Sequence, residues 1–105
     1  MNEQEWILCA AVHYDDGQDT YIHQPKNIKT GYVVAGRRHH NCITIHSMLK
    51  GLRDVPNNFP IIQGFLTSRD RFVNREEAFD IAEGANQLND RTRFTNRTLF
   101  SEDLY

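Results

Sequence analysis

The sequence predicts an α+β domain in which an antiparallel β-sheet carries two α-helices. Three observations indicate this class: apolar, β-branched runs, two stretches whose apolar residues recur at helical spacing, and turn residues between them. At 105 residues the chain has room for a single domain, residues 1–105, with one small core.

Three strands are predicted in the first third of the chain. Residues 6–14 are almost continuously apolar, which is typical of a central strand buried on both faces. Residues 15–19 contain Asp-Gly and predict a turn, so residues 20–23 would return as the second strand of a hairpin. After a connector, residues 31–35 form the third strand.

Two helices and a fourth strand follow. Asn41 is the predicted N-cap of the first helix, whose apolar face would comprise Cys42, Ile45, Met48, Leu49 and Leu52. The β-branched run at residues 43–45 would also suit a strand. Residues 61–67 predict a strand in which Gly64 marks a bulge or a close ligand approach.

The second helix has a clear start, because Asn74 and Glu77 have the spacing of a capping box. Its apolar face would comprise Ala78, Ile81, Ala82, Ala85 and Leu88, with Phe79 to the side. Residues 101–105 could begin a last helical turn.

Composition and charge limit the partners. A net charge of −2 argues against general DNA binding, and no apolar run approaches the 18 or so residues of a membrane span. All nine arginines lie from Arg37 onwards, against three lysines in the whole chain. Arginine suits bidentate phosphate contacts, although pairing with helix carboxylates explains some of them, such as Arg75 beside Glu76 and Glu77. The start of the chain has no basic, signal-like region and both cysteines look buried, so we expect a cytoplasmic protein.

The candidate binding residues fall in three stretches. Residues 31–42 run from strand through glycine to a cationic helix start, an arrangement that suits an anion but equally fits an ordinary turn with a solvated rim. Residues 64–74 and 91–97 mix aromatic side chains with arginines, which can stack a purine and hold phosphate. The resulting ligand-binding candidates are Arg37, Arg38, Phe65, Phe72, Asn74, Arg91, Arg93 and Arg97. Burial in the core is the more common fate of Phe65 and Phe72.

Catalytic and metal chemistry is the competing interpretation. His39, Cys42 and His46 would share one helical face and could hold zinc, or Cys42 could pair with a histidine as a nucleophile. Cys42 also fits the apolar stripe, and no second ligand pair accompanies these residues, so we expect neither a metal nor another cofactor. Two functions are alternatives to binding a small molecule. One is a phosphoesterase or nuclease that uses His39, His40 and His46, and the other is a module that binds a host protein.

Six blocks of the sequence resemble small phage and prophage proteins: Trp6–Ala11, His23–Ile28, Gly36–Cys42, Gly64–Ser68, Arg71–Ala78 and Ser101–Tyr105. Gly36–Cys42 is the most specific of them. Together they cover nearly the whole chain, which resembles the first family of Thoeris anti-defence proteins. These phage proteins act as sponges for a bacterial immune signal.

The resemblance implies a protein that is not an enzyme. It would bind a cyclised ADP-ribose isomer, made by a TIR-domain enzyme in the host cytoplasm, without degrading it. The family forms dimers or higher oligomers with the ligand near a subunit interface, and some members also hold cyclic oligonucleotides. Carried onto this chain, the resemblance would give phosphate contacts to Arg37 or Arg38 and the C-terminal arginines. Phe65 or Phe72 would stack adenine. Asn74 would help to position the ligand, although its expected role as a helix cap competes with that contact.

Overall fold

A computed structural model of the chain describes residues 4–20, 23–49, 60–88 and 98–104. These ranges contain a four-stranded antiparallel sheet in the order β2-β1-β3-β4 and two α-helices, which confirms the predicted α+β class. The strands are β1 (Ile7–Asp19), β2 (Thr30–Gly36), β3 (Ile61–Thr67) and β4 (Phe72–Asn74). The helices are α1 (His39–Leu49) and α2 (Arg75–Gly84), and a 3₁₀ turn follows at Ser101–Asp103. Neither α-helix is long and apolar enough to cross a bilayer.

The first strand is the centre of the sheet, as its continuous apolar character predicted. β1 pairs with β2 along one edge and with β3 along the other, and Ala10, Ala11 and Val12 have no exposed surface. A turn was predicted at residues 15–19, but the strand continues through them to Asp19. Asp15 stays in the sheet because its N–H donates to Pro60 O at 3.0 Å and its carboxylate accepts from the Thr30 hydroxyl at 2.6 Å.

The predicted second strand at residues 20–23 is not found at either of its described ends. Thr20 has no regular structure and His23 lies in a turn with a φ of 67°, a left-handed conformation that extended strands do not adopt. Tyr21 and Ile22, between them, lie outside the described residues. The partner of β1 on this side is therefore β2, which matches the strand predicted at residues 31–35.

The first helix forms and buries Cys42 as predicted, but the other residues of its inner face differ from the prediction. His39 and Cys42 are buried, and the His46 ring stacks on Tyr14 with 3.6 Å between ring centroids, whereas Ile45 and Met48 are exposed. The side chain of Leu49, and Leu52, lie outside the described residues. Helical periodicity identified the helix correctly, but the side chains that fit against the tyrosines of the sheet selected its inner face.

The start of α1 also differs from the prediction. The helix begins at His39, so Asn41 lies within its first turn and is not the N-cap. Asn41 Oδ1 instead accepts a hydrogen bond from the backbone N–H of Arg38 at 3.0 Å. This is the backward half of a capping box, in which a side chain at the third helical position bonds the residue before the helix.

The second helix confirms its predicted cap. Asn74 Oδ1 accepts from the Glu77 N–H at 2.8 Å, and the Glu77 carboxylate accepts from the Asn74 N–H at 3.4 Å. Ala78 and Ala82 are buried as predicted, but Phe79, expected at the side, is also buried. These residues pack on Phe65, Val73 and neighbouring core side chains, with Ile81 and Leu88 partly buried at the margin.

Both helices pack on one face of the sheet, and the connector before β2 protects the strands from the other side. Pro25 of this connector is buried. The Asn27 side chain donates to Phe72 O at 2.7 Å and accepts from Phe72 N–H at 2.9 Å. Gln24 Oε1 accepts from the Val33 N–H at 2.8 Å. Two side-chain amides therefore bond backbone groups of both edge strands, β4 and β2, which would otherwise be open to pairing with another chain.

Gly64 marks a close approach between two strands of the sheet. A Cβ built at this position would overlap the Val73 carbonyl oxygen of β4 and lie 2.7 Å from Cζ of Phe72. Only glycine fits at this position, because β4 lies too close for a side chain. The close approach that was predicted for a ligand is therefore made by β4.

Replacing Gly64 with alanine is expected to lower the free energy of unfolding by about 2–3 kcal/mol, because the added methyl group overpacks the β3–β4 pair. Gly84→Ala is the matched control. Its Cβ would meet only Gln4 Nε2, at 3.8 Å, so this change is expected to be neutral or stabilising by up to about 1 kcal/mol. Urea unfolding followed by circular dichroism measures both effects. Equal stabilities of the two variants would contradict the assignment.

Candidate functional site

The first residues of both helices meet at one end of the sheet. His39, which opens α1, places Nε2 2.7 Å from Gly64 O and Nδ1 3.4 Å from a terminal nitrogen of Arg75, which opens α2. Because a carbonyl only accepts and a guanidinium only donates, Nε2 carries the proton and Nδ1 accepts. The ring also packs edge-on against Phe65, at 5.0 Å between centroids. His39 is thus a neutral link between the two helix starts.

The electrostatics of His39 agree with this tautomer. Burial lowers the pKa of His39 below its ordinary value, and the positive charge of Arg75 lowers it further. The hydrogen bond to Gly64 O and the negative charge of Glu102 raise the pKa of His39, but burial is the largest effect. The imidazole is therefore held in the uncharged form, as a structural group.

The Arg75 guanidinium is the hub of this region. It donates to Leu99 O at 2.8 Å and to Gln63 Oε1 at 2.6 Å, and its central carbon lies 4.8 Å from the centroid of the Phe100 ring. Within the described residues its hydrogen-bond partners are all neutral, and burial lowers its pKa below the usual range. Arg75 was predicted to pair with Glu76 and Glu77. Its side chain instead donates hydrogen bonds to β3 and to the C-terminal segment.

Arg37 and Arg38 extend the positive charge towards solvent. Both lie on the short link between β2 and α1; Arg37 is exposed, and a terminal nitrogen of Arg38 lies 3.3 Å from the Ser101 hydroxyl oxygen. The first turn of α1 contains no acidic residue, whereas Glu76 and Glu77 occupy the first turn of α2. The positive end of the α1 dipole is thus reinforced by cationic side chains, an arrangement that favours a bound anion.

Phe100 provides an exposed aromatic surface beside these arginines. Phe100 is 49% exposed, while Leu99 before it and Ser101 after it are buried. No pattern in the sequence predicted Phe100, Gln63 or the role of Arg75. The only local signal for Phe100 is this alternation of inward and outward side chains, which cannot be recognised before the segment is known to lie against the core.

The structure places the other predicted ligand residues elsewhere. Phe65 has no exposed surface, and Phe72 is 7% exposed and packs against His13 on the face away from the helices. Both rings therefore serve the core and present no open face for stacking. Asn74 caps α2. Arg91, Arg93 and Arg97 lie outside the described residues.

The candidate metal ligands are each engaged separately. The Cys42 thiol donates to backbone carbonyls, including Arg38 O at 3.5 Å, and His46 Nε2 lies 2.7 Å from the Tyr32 hydroxyl. In the described ranges no three His, Cys, Asp or Glu side chains come together as a metal site. Burial raises the pKa of the Cys42 thiol, which disfavours the thiolate that a nucleophile requires.

Fold and site together define a small α+β protein with a cationic, aromatic-edged surface where its two helices begin. A family model described as Phage T4 y16D protein matches residues 6–105, and the chain belongs to this family of phage proteins. No curated protein and no solved structure matches the chain.

The buried His39 predicts a specific loss of stability in mild acid. Its pKa is lowered from 6.5, so the unfolded chain binds the proton more readily than the folded protein. Its contribution to stability is complete above about pH 6.5 and is lost as the pH falls from there through the lower folded-state pKa. His39→Gln keeps one donor and one acceptor but does not titrate. Its free energy of unfolding should therefore fall less between pH 7 and pH 5 than that of the wild type.

Urea unfolding at several pH values tests this expectation. The control is His40→Gln, a change at the exposed neighbouring histidine, which should keep the wild-type pH dependence. A wild-type slope in His39→Gln would show that His39 is not the group responsible.

Proposed function

We propose that this protein captures a cyclic ADP-ribose-type signalling nucleotide, made by a host TIR-domain enzyme, and holds it without degrading it. In this role it would act in the host cytoplasm as a phage anti-defence protein of the Thoeris type. The observation that carries the proposal is the convergence of Arg38 and Arg75 at the starts of both helices beside the exposed Phe100. Membership of a phage protein family is consistent with this role.

Each part of such a ligand has a counterpart at this surface. A pyrophosphate at the start of α1 gains from the helix dipole and from charge-assisted bonds to Arg37 and Arg38. The base stacks on the open face of Phe100, whose other face is covered by the Arg75 guanidinium. In a nucleotide a planar base and a phosphate lie a short distance apart. In the protein Arg38 and Phe100 are also close, because Arg38 bonds Ser101, the residue after Phe100.

The same contacts favour capture over catalysis. His39 is neutral and tied to Gly64, His46 is bonded to Tyr32, and the Cys42 thiol is fully buried. Three of the groups that could carry acid–base or nucleophilic chemistry are thus already used to hold the fold, whereas His40 is exposed. A phosphoesterase using His39, His40 and His46 remains the alternative that the experiment below distinguishes.

Calorimetry against the cyclised ADP-ribose signal, with mass spectrometry of the ligand after heat denaturation, tests the proposal. We expect tight binding and release of intact ligand. Arg38→Ala should weaken binding about ten- to hundredfold through loss of a charge-assisted contact, and Phe100→Ala about tenfold through loss of stacking. Arg69→Ala, in the turn between β3 and β4, is the control and should bind as the wild type does.

Two outcomes would contradict capture. A hydrolysed product would indicate an enzyme and direct attention to the three histidines. Absence of heat with the nucleotide would favour a protein partner for the arginine-rich surface.

We also propose that the protein works as a dimer or higher oligomer. Nanomolar capture corresponds to roughly 12 kcal/mol, which a half-open surface reaches more readily when a second subunit encloses the ligand. Light scattering should give a mass of at least twice that of one chain. A monomer that retains tight binding would contradict this part of the proposal.

A further inference from the structure

A second concave surface lies at the other end of α2 from the candidate site. Gln4, Trp6, Ala85 and Gln87 line a pocket of about 350 Å³, which is at the low end of the volumes of small-molecule sites. α2 has ten residues. The pocket and Arg75 are therefore separated by about 15 Å along the helix axis. None of the four lining residues is charged, so this site has a different chemistry from the arginine-rich surface.

Hydrogen bonds fix the chain on both sides of Trp6. Towards the β3–β4 turn, the Trp6 N–H donates to Ser68 Oγ at 3.0 Å and the Ser68 N–H donates to Trp6 O at 2.9 Å. Towards α2, the Gln87 side chain bonds both backbone groups of Ile7: Oε1 accepts from the N–H at 2.7 Å and Nε2 donates to the carbonyl at 2.8 Å. The backbone is thus held in place while Trp6 remains 49% exposed. An aromatic surface fixed in this way loses little freedom when a ligand binds.

Glu5 adds an ion pair to this anchoring. Its carboxylate accepts two hydrogen bonds from the Arg71 guanidinium, each at 2.8 Å, and one from the Thr67 hydroxyl at 2.6 Å. The hydrogen bond from Arg71 is the largest of the effects that lower the pKa of Glu5, so the pair is charged at neutral pH. The negative charge beside Trp6 in the sequence is therefore matched by Arg71, and the polarity of the pocket comes from α2.

The last turn of α2 is negatively polarised towards the pocket. The four carbonyl groups of residues 81–84 accept hydrogen bonds from neutral amides, namely the backbone N–H groups of residues 85–87 and the side chain of Gln4, which bonds Gly84 O. This turn contains no basic side chain. The negative end of the helix dipole thus has hydrogen-bond partners but no compensating cation in its own last turn, and a positive charge placed beside it is stabilised. The indole face acts in the same direction, because its π electrons attract cations.

We propose that this pocket binds an organic cation, an alkylammonium or guanidinium group, against the indole of Trp6 at the carboxyl end of α2. The Nε2 of Gln4 is bonded to Gly84 O, so its Oε1 is the side-chain acceptor for an N–H of the cation. The proposal is independent of the proposed function, because it uses none of the residues of the arginine-rich surface. Two sources present this head group: a small free amine, and a lysine or arginine side chain of a partner protein.

The chain contains a single tryptophan, so the fluorescence of Trp6 reports directly on the pocket. Titration of the whole chain with n-butylammonium chloride at constant ionic strength should change the emission in a saturable way. n-Butanol, which has as many heavy atoms but no charge, should bind about five- to tenfold more weakly. Equal affinities for the amine and the alcohol would overturn the proposal, as would the absence of a saturable response to the amine.

Position 84 tests the contribution of the helix end without changing the pocket lining. Gly84→Lys introduces a positive charge into the last turn of α2, at a site where a Cβ meets only Gln4 Nε2, at 3.8 Å. This variant should bind butylammonium about fivefold more weakly than the wild type. Gly84→Ala is the matched uncharged change and should keep the wild-type affinity. Unaltered binding by Gly84→Lys would show that the helix end does not attract the ligand and would contradict the proposed site.

A capped tripeptide with a central lysine distinguishes the two sources of the head group. If it binds about tenfold more tightly than butylammonium, the pocket takes a basic side chain of a partner protein, whereas equal affinities assign it to a free amine. The control tripeptide has norleucine, an uncharged analogue of lysine, at its centre. Equal binding of the lysine and norleucine peptides would overturn the cation site.

Discussion

The hydrogen-bonded fork of Arg75 holds together parts of the chain that are distant in sequence. It joins Gln63 of β3, His39 of α1 and Leu99 of the C-terminal segment 98–104, and Arg75 itself is the first residue of α2. A half-buried cation with neutral partners is tolerated only where its donors are satisfied, so each of these acceptors supports the others. One polar junction therefore connects the sheet, both helix starts and the C-terminal segment. The candidate binding surface lies directly on this junction.

The sheet is asymmetric, and the connector compensates for that asymmetry. Both helices cover the face that carries Tyr14 and Phe65, so the other face and the two edges need different protection. Asn27 and Gln24 provide it by bonding the edge backbone at Phe72 and Val33, which a further strand would otherwise do. A small domain can thus close a four-stranded sheet with side-chain amides.

The two helix starts are electrostatically different. α2 begins with a complete capping box and two acids, so its dipole is compensated within the helix. α1 begins with His39, directly after Arg38, and has no acid in its first turn, so the nearby negative charge at this helix start comes from Glu102 of the C-terminal segment. The start of α1 is therefore the better place for the phosphate of the proposed ligand, since the acids and the complete cap already occupy the start of α2.

The sequence by itself determined the features that depend on a few neighbouring residues. The α+β class, the buried central strand, the strands at 31–35 and 61–67 and the Asn74–Glu77 capping box were all predicted, because periodicity and capping act within one or two helical turns. Only the tertiary structure decided which face of α1 packs, that β1 continues past Asp15, and that Arg75 rather than a buried phenylalanine lies beside Phe100 at the candidate site. These depend on contacts between residues tens of positions apart, which no local pattern encodes.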